Sequence, residues 1–161
     1  MNSLQSKIVS DPDQIKGRVK TLQTPRVFTN GCFDILHRGH ITTLIEAAQL
    51  GNSLIVGVNS DSSVRDLNKG RGRPINALED RLALIAALEM VDLVVGFDEE
   101  TPLNLINLIR PDYLIKGGDW AVDQIVGAAE VASWGGKTHT IPFKTTHSTT
   151  SLIEKICNNC N

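Results

Sequence analysis

The sequence predicts an α/β fold, a doubly wound and mainly five-stranded parallel sheet with helices on both faces. Short runs rich in Val, Ile and Leu alternate with helical patterns along the chain, and no internal repeat interrupts them. Alternation of this kind favours right-handed crossovers between parallel strands. The length of 161 residues, with 41% hydrophobic side chains, suffices for one domain with a full core.

Five apolar runs predict the strands, because short runs of branched aliphatic residues are typical of buried parallel strands. They cover residues 26–29, 53–59, 93–97, 113–116 and 138–142. Apolar residues at helical spacing predict helices near residues 41–50, 78–88, 102–109, 125–134 and 151–157. We expect residues 1–25 to form an N-terminal extension, helical or partly disordered, residues 26–157 to form the domain, and residues 158–161 to form a tail.

The composition argues against several classes of protein. The formal net charge of −2 indicates no bulk attraction to nucleic acid or to a membrane surface. No apolar run reaches the length of a membrane span, and the polar residues 1–20 lack the apolar centre of a signal peptide. We therefore expect a cytoplasmic protein without nucleic-acid or membrane partners.

The three cysteines, Cys32, Cys157 and Cys160, form no disulfide framework. Cys157 and Cys160 have the spacing of one half of a zinc site, but the sequence holds no second pair. We interpret this end of the chain as a frayed tail. The open alternative is a redox protein that uses these two cysteines, and it predicts a reversible disulfide between them.

The most informative segment is Asn-Gly-Cys-Phe-Asp-Ile-Leu-His-Arg-Gly-His, residues 30–40, which joins the first long predicted strand to the next helix. At such a junction, backbone N–H groups and the helix dipole favour bound phosphate. Gly39 lets the backbone approach a ligand closely, and the imidazoles of His37 and His40 can donate hydrogen bonds to phosphate oxygens. The segment predicts a site that holds a nucleoside triphosphate, although the dinucleotide fingerprint and the P-loop are both absent.

This segment resembles the signature of the nucleotidyltransferase superfamily, which includes the cytidylyltransferases and pantetheine-phosphate adenylyltransferase. The amino-acid sequence of the segment is most similar to that of the branch that adenylylates heptose 1-phosphates. The resemblance extends from about residue 26 to residue 156. It implies transfer of AMP from ATP to D-glycero-β-D-manno-heptose 1-phosphate, giving ADP-heptose for lipopolysaccharide core assembly. It assigns catalysis to His37 and His40, and a sugar-phosphate contact to Asp34. The nucleotide contacts that it implies here are Cys32, Phe33, Asp34 and Gly39.

A basic, glycine-rich loop, residues 69–73, follows the second predicted strand. A cationic loop in this place can close over a polyphosphate and exclude water, and a solvated surface loop is the alternative. In the resembled family a lysine of this loop contacts phosphates, which implies a catalytic role for Lys69 and substrate-binding roles for Arg71 and Arg73. Arg81 resembles an arginine of the cytidylyltransferases and is a candidate nucleotide contact; its alternative is a surface ion pair.

Polar residues also follow other predicted strands. Asn59 ends the second strand and is a candidate substrate contact. After the fourth strand, two glycines permit close approach of a base or sugar, and Lys116 offsets phosphate charge. This stretch resembles the Gly-Asp-Trp element of the cytidylyltransferases, which implies nucleotide contacts for Lys116, Gly118 and Asp119 and a substrate contact for Trp120. A plain turn is the alternative.

Hydroxyl residues precede the last predicted helix. Ser148, Thr149 and Thr150 are ordinary capping residues, but a helix N-terminus of this kind also binds anions. In the superfamily a Ser-Thr element here grips the β- and γ-phosphates, which implies that all three contact the nucleotide. Lys144 is a candidate to replace an arginine that several relatives carry a few residues earlier, and Glu130 is a further candidate for nucleotide contact.

The implied reaction needs no strong general base, because a sugar 1-phosphate already carries an anionic oxygen. We expect ATP and a sugar 1-phosphate as partners, with Mg²⁺ held mainly by the triphosphate and not by protein side chains. We also expect a homo-oligomer of two or more copies. Two alternatives stay open: a cytidylyltransferase for glycerol 3-phosphate or a similar small phosphate, and a nucleotide-binding regulatory module without catalysis.

Overall fold

A computed structural model describes residues 4–67, 72–143 and 148–159. It confirms the α/β fold, with one all-parallel sheet in the described residues. The strands are β1 (Ile8–Val9), β2 (Arg26–Gly31), β3 (Ser53–Asn59), β4 (Leu93–Phe97), β5 (Tyr113–Gly117) and β6 (Lys137–Ile141). The helices are α1 (Pro12–Thr21), α2 (Arg38–Ala48), α3 (Asp61–Asp66), α4 (Leu78–Ala86), α5 (Leu103–Ile109), α6 (Ala128–Ser133) and α7 (Thr149–Asn159).

The strand order across the sheet is β1-β4-β3-β2-β5-β6. From β2 the chain steps outward to β3 and β4, and it then crosses back to place β5 on the other side of β2. This reversal is what makes the fold doubly wound. The described sheet has six strands where five were expected, because β1 has two residues and is too short to produce an apolar run in the sequence.

Helices cover both faces of the sheet, as expected. On one face, buried residues of α1, α5 and α6, such as Ile15, Ile106 and Val131, pack against Phe28 of β2. On the other face, residues of α2 and α4 form a second core cluster with the alternate side chains of the same strands. Each central strand is therefore buried on both sides, and all seven residues of β3 are buried.

The segment before residue 26, expected as an extension, contributes to this fold. β1 pairs in parallel with β4, and α1 buries Ile15 and Val19 in the first core cluster. Asp11 caps α1 by accepting hydrogen bonds from the backbone of Asp13 and Gln14. Burial of one apolar face explains why this helix is packed on the sheet.

Neighbouring strands β2 and β5 are the point at which the chain reverses its direction of travel across the sheet. In open parallel sheets a crevice forms there, outside the carboxyl ends of the strands, and ligands bind in it. The segments that leave these two strands are residues 32–37 and residues 118–121, and the sequence places chemically active side chains in both.

Candidate active site

The start of α2 carries the two histidines of the sequence motif. His37 is the N-cap residue, and its Nδ1 accepts a hydrogen bond of 3.1 Å from the backbone N–H of Gly39. His40 lies in the first turn, and its ring stacks on that of His37 with the centroids 3.8 Å apart. Two imidazoles are thus held side by side at the positive end of a helix.

A cleft of about 640 Å³ opens in front of these histidines. The carboxyl ends of β2 and β5, the first turns of α2 and the start of α7 all contribute to it. It therefore lies at the crevice that the strand order creates. The described residues that line it are Thr29, Asn30, Gly31, Cys32, Phe33, Asp34, His37, His40, Thr43, Leu44, Arg73, Lys116, Gly117, Trp120, Phe143, Ser148, Thr149 and Thr150.

The turn after β2, residues 32–34, forms one wall. Phe33 has a backbone φ of 48°, in the left-handed region that a bulky residue rarely adopts. Its ring is buried and lies against His40, with 5.2 Å between the ring centroids. The turn and the imidazoles therefore form one packed unit.

The carboxylate of Asp34, expected to contact nucleotide and sugar phosphate, is bonded within the protein. Arg73 Nε donates to Oδ2 at 2.5 Å, and the backbone N–H groups of Ile75 and Asn76 donate to Oδ1 at 2.7 Å and 2.9 Å. The side chain of Asp34 is 0% exposed and that of Arg73 is 7% exposed. This buried ion pair ties the turn after β2 to the segment before α4, while both residues still line the cleft.

Arg81 and Asn59 are placed beneath the cleft and outside its described lining. The guanidinium of Arg81 is fully buried and donates to the backbone carbonyls of Cys32, Asn59 and Asn76 and to the carboxylate of Asp61, at 2.6–3.0 Å. The Asn59 side chain donates to Ser63 Oγ at 2.9 Å. In the structure these two side chains join the ends of β2 and β3, and their predicted ligand contacts stay predictions.

Aromatic and basic groups line the opposite wall, at the end of β5. Trp120 Nε1 donates to the carbonyl of Gly117 at 3.2 Å, and Phe143 lies against the same glycine. Both residues are more than half exposed, at 51% for Trp120 and 65% for Phe143. Lys116 joins them in the lining and brings a positive charge to this side of the cleft.

The hydroxyl residues at the start of α7 complete the rim. Ser148 Oγ accepts from the N–H of Ser151, and Ser151 Oγ accepts from the N–H of Ser148, both at 3.1 Å. This reciprocal arrangement is a capping box. Thr149 is buried and donates to the carbonyl of Ile35 at 3.4 Å, which docks α7 on the α2 side of the cleft. The start of a helix is suited to anions, because its first N–H groups have no partner within the helix, although at α7 the N–H of Ser151 is already taken by Ser148 Oγ.

Several expected site residues are not among those that line the cleft. Gly39 and Gly118 are buried, Asp119 is exposed, and Glu130 is half-buried on α6; none of these four is in the described lining. Lys69, Arg71 and Lys144 lie outside the described residues, so their roles stay predictions.

The cleft also contains residues that sequence reasoning did not single out. Thr29 belongs to β2, Thr43 and Leu44 follow His40 by one helical turn, and Phe143 follows β6. The three- and four-residue spacing from His40 was a usable signal for Thr43 and Leu44, because residues so spaced share a helix face. No pattern in the sequence indicated Phe143.

The carboxylates that line the cleft indicate how a divalent cation would be held there. Within residues 4–67, 72–143 and 148–159, Asp34 is the one carboxylate of the cleft lining, and Arg73 and two N–H groups already engage it. Mg²⁺ prefers several oxygen ligands in an octahedral arrangement. The described lining therefore fits a cation carried by a phosphate ligand better than one held by the protein.

No helix in the described part of the chain is long and apolar enough to cross a membrane. Among the described residues, no three His, Cys, Asp or Glu side chains are grouped as metal ligands.

Comparisons with known proteins agree with this geometry. A family model described as cytidylyltransferase-like matches residues 28–155. A curated protein of Bordetella bronchiseptica, named D-beta-D-heptose 1-phosphate adenylyltransferase, is 52% identical over 153 residues, which are 94% of this chain and 94% of that protein. The bifunctional protein HldE of Pseudomonas fluorescens is 53% identical over 133 residues, which are 83% of this chain and 28% of HldE, so the chain spans less than a third of that relative.

Solved structures carry the same fold. The lipopolysaccharide core biosynthesis protein from Thermoplasma volcanium aligns with a TM-score of 0.61 and 31% identity, over 76% of this chain and 98% of that one. Pantoate-beta-alanine ligase from Francisella tularensis aligns with the same TM-score of 0.61, over 89% of this chain and 68% of that one. Its sequence identity is 16%, so this likeness shows a shared fold alone. Since the family model covers most of the chain and the resemblance of residues 30–40 is confirmed, the chain belongs to the cytidylyltransferase-like family and is a nucleotidyltransferase.

Proposed function

We propose that the protein transfers AMP from ATP to D-glycero-β-D-manno-heptose 1-phosphate, with ADP-heptose and pyrophosphate as products. The observation that carries the proposal is the stacked pair His37 and His40 in a cleft onto which the N-termini of both α2 and α7 open. The name of the Bordetella relative, which matches nearly end to end, supports the choice of ATP and a heptose 1-phosphate.

In this reaction an oxygen of the sugar phosphate attacks the α-phosphorus of ATP. The new O–P bond forms as the bond between the α-phosphorus and the bridging oxygen to the β-phosphorus breaks, and that oxygen leaves with pyrophosphate. The attacking oxygen is already anionic near neutral pH, so no base has to remove a proton. Catalysis then consists of positioning and of neutralising the charge that develops.

The residues divide this work by position. His37 and His40 donate hydrogen bonds to the α-phosphate and to the bridging oxygen as charge accumulates there. The N–H groups at the start of α7, with Ser148 and Thr150, bind the β- and γ-phosphates. Lys116 adds positive charge from the cleft wall, whereas the charge of Arg73 is paired with that of Asp34. A Mg²⁺ ion bound together with ATP would supply further neutralisation of the charge on the leaving pyrophosphate.

Lys69 is the remaining catalytic proposal. It lies outside the described residues, and the proposal rests on its place in the basic loop of the sequence. Replacing Lys69 by Ala should weaken ATP binding and slow transfer together, because a lysine that contacts phosphate acts as a point charge in both states. The matched control is Lys16→Ala, at an exposed lysine of α1.

The test is a matrix of nucleoside triphosphates against sugar phosphates, read by release of pyrophosphate. We expect kcat/KM for ATP with the β-anomer of heptose 1-phosphate to exceed every other pair by at least roughly tenfold. Preference for CTP with glycerol 3-phosphate would establish the cytidylyltransferase alternative instead. Nucleotide binding without pyrophosphate release would establish a regulatory module.

A transferase that consumes ATP and a sugar phosphate requires a compartment that supplies both, and we propose the cytoplasm. The product is a nucleotide-activated sugar, which a glycosyltransferase of lipopolysaccharide core assembly would consume. The expected homo-oligomer stays a prediction, and light scattering coupled to size-exclusion chromatography measures it.

A further inference from the structure

Asn76 lies just before α4 and outside the described cleft lining, yet two of its polar groups hold the turn after β2 and a third accepts from Arg81. Its backbone N–H donates to Asp34 Oδ1 at 2.9 Å, and its side-chain amide donates to the backbone carbonyl of Asp34. Its own carbonyl accepts a hydrogen bond of 3.0 Å from Arg81 Nε. One residue therefore contacts both the turn and the buried arginine beneath it.

Arg81 carries this connection to the other side of the turn. Its Nη1 donates to the carbonyl of Cys32 at 2.7 Å, and its Nη2 donates to Asp61 at 2.7 Å. Residues on either side of Phe33 are thus fixed by hydrogen bonds from the same pair, Asn76 and Arg81. Of these two residues, Asn76 is the one whose side chain donates a hydrogen bond to the backbone carbonyl of Asp34.

Phe33 needs such support, because its φ of 48° is unfavourable for a residue with a bulky side chain. A backbone in this region persists only where its surroundings over-determine it. The Phe33 ring lies 5.2 Å from that of His40, and His40 stacks on His37 at 3.8 Å. A change in the turn is therefore passed directly to the two imidazoles.

We infer that Asn76 is a positioning residue for the reaction: it holds the Cys32–Asp34 turn in the shape that sets the two stacked imidazoles against the cleft. The effect on rate rests on the proposed function, whereas the effect on the imidazoles is a property of the protein alone. Asn76 acts through Phe33 and His40 and touches no reacting group.

The kinetic test compares Asn76→Ala with Asn52→Ala. The side-chain amide of Asn52 likewise donates to a backbone carbonyl, that of Thr24. Asn52 precedes β3, so this bond lies at the amino ends of the strands, away from the cleft at their carboxyl ends. We expect Asn76→Ala to lower kcat by about 10- to 100-fold, with KM for ATP changed less than about twofold, because misplaced catalytic groups reduce rate more than binding. Asn52→Ala should leave both constants as they are in the parent protein.

The second readout needs no substrate. The imidazole ¹⁵N–¹H resonances of His37 and His40, assigned by single replacement, should shift in Asn76→Ala and stay in place in Asn52→Ala. If Asn76→Ala does not fold, Asn76→Ser should give a smaller shift in the same resonances. Unchanged imidazole resonances with an unchanged kcat would overturn the inference, since a merely structural role lowers the melting temperature alone. If the parent protein releases no pyrophosphate, the proposed function fails, and the resonances still decide the role of Asn76.

Discussion

The imidazole of His37 lies against that of His40, with 3.8 Å between the ring centroids and 24° between the ring planes. The arrangement follows from the helix start, because His37 is the N-cap and His40 lies in the first turn above it. The Nδ1 of His37 is already occupied by the N–H of Gly39, so this ring approaches a ligand through its Nε2 edge. The pair can therefore bind two neighbouring phosphate oxygens.

The first prediction separates the capping role of His37 from its chemistry. Both His37→Ala and His37→Ser should lower kcat by about 10²- to 10³-fold, the scale of losing a donor to developing charge. Only His37→Ala should also lower the free energy of unfolding, by about 1 kcal/mol, because Ser caps a helix and Ala does not. Pyrophosphate release and urea unfolding measure the two effects. Normal turnover of His37→Ser would remove His37 from the mechanism.

A second prediction concerns the buried pair Asp34 and Arg73. Replacing Asp34 by Ala should lower the free energy of unfolding by about 3–5 kcal/mol, because it leaves the Arg73 guanidinium buried without its partner. A double-mutant cycle with Arg73→Met should give a coupling of at least about 1 kcal/mol, since the two side chains are in direct contact. Equilibrium urea unfolding of all four proteins supplies the numbers. Additive effects would mean that the two charges do not stabilise each other.

A third prediction contrasts two glycines. Gly118 has a φ of 108°, and an added Cβ would lie 3.0 Å from Trp120 Nε1 and 3.1 Å from Phe143 Cε2. Gly118→Ala should therefore destabilise the protein by about 1–3 kcal/mol. Gly17, inside α1, has nothing within 4 Å of the place that an added Cβ would take, and Gly17→Ala should stabilise the protein by about 0.5–1 kcal/mol. Thermal unfolding compares the pair, and a destabilising Gly17→Ala would show that α1 carries a constraint besides helix propensity.

The fourth prediction is a pH dependence. Hydrogen bonds from Ser60 and Ser62 hold the pKa of Asp98 below the ordinary value of an aspartate. A carboxyl with a lower pKa in the folded state contributes stability above its unfolded pKa and loses it as pH falls through the folded pKa. Asp98→Asn should thus lower the free energy of unfolding at pH 7 and have a vanishing effect in strong acid. Urea unfolding at several pH values checks this, and an effect that persists undiminished in acid would contradict it.

The sequence anticipated the interior of the fold closely. The structure confirms the predicted strands 53–59 and 93–97 with the same bounds, since a continuous buried run of Val, Ile and Leu is a strong local signal. The two-residue strand β1 escaped notice because its pairing partner, β4, lies more than 80 residues away in the chain. Edge strands that depend on such a partner leave little trace in local composition.

The sequence by itself also determined where the two histidines of the candidate site lie. The spacing of His37 and His40 places both in one helical turn, and the position of the motif after a strand places them at the carboxyl edge of the sheet. Both placements depend only on residues that are close in the chain, so helical periodicity and the order of strand and helix are enough to predict them.

Only the tertiary structure decided which polar side chains line the cleft and which hydrogen bonds they make within the protein. Asp34 and Arg81 stand at strand and helix ends, as ligand contacts do, but long-range hydrogen bonds use their charges to join the turn after β2 to the segment before α4. Phe143 enters the cleft because β6 pairs with β5 and ends beside Gly117. A buried charge must find a partner, and that partner is supplied by distant parts of the chain that meet only in the folded protein.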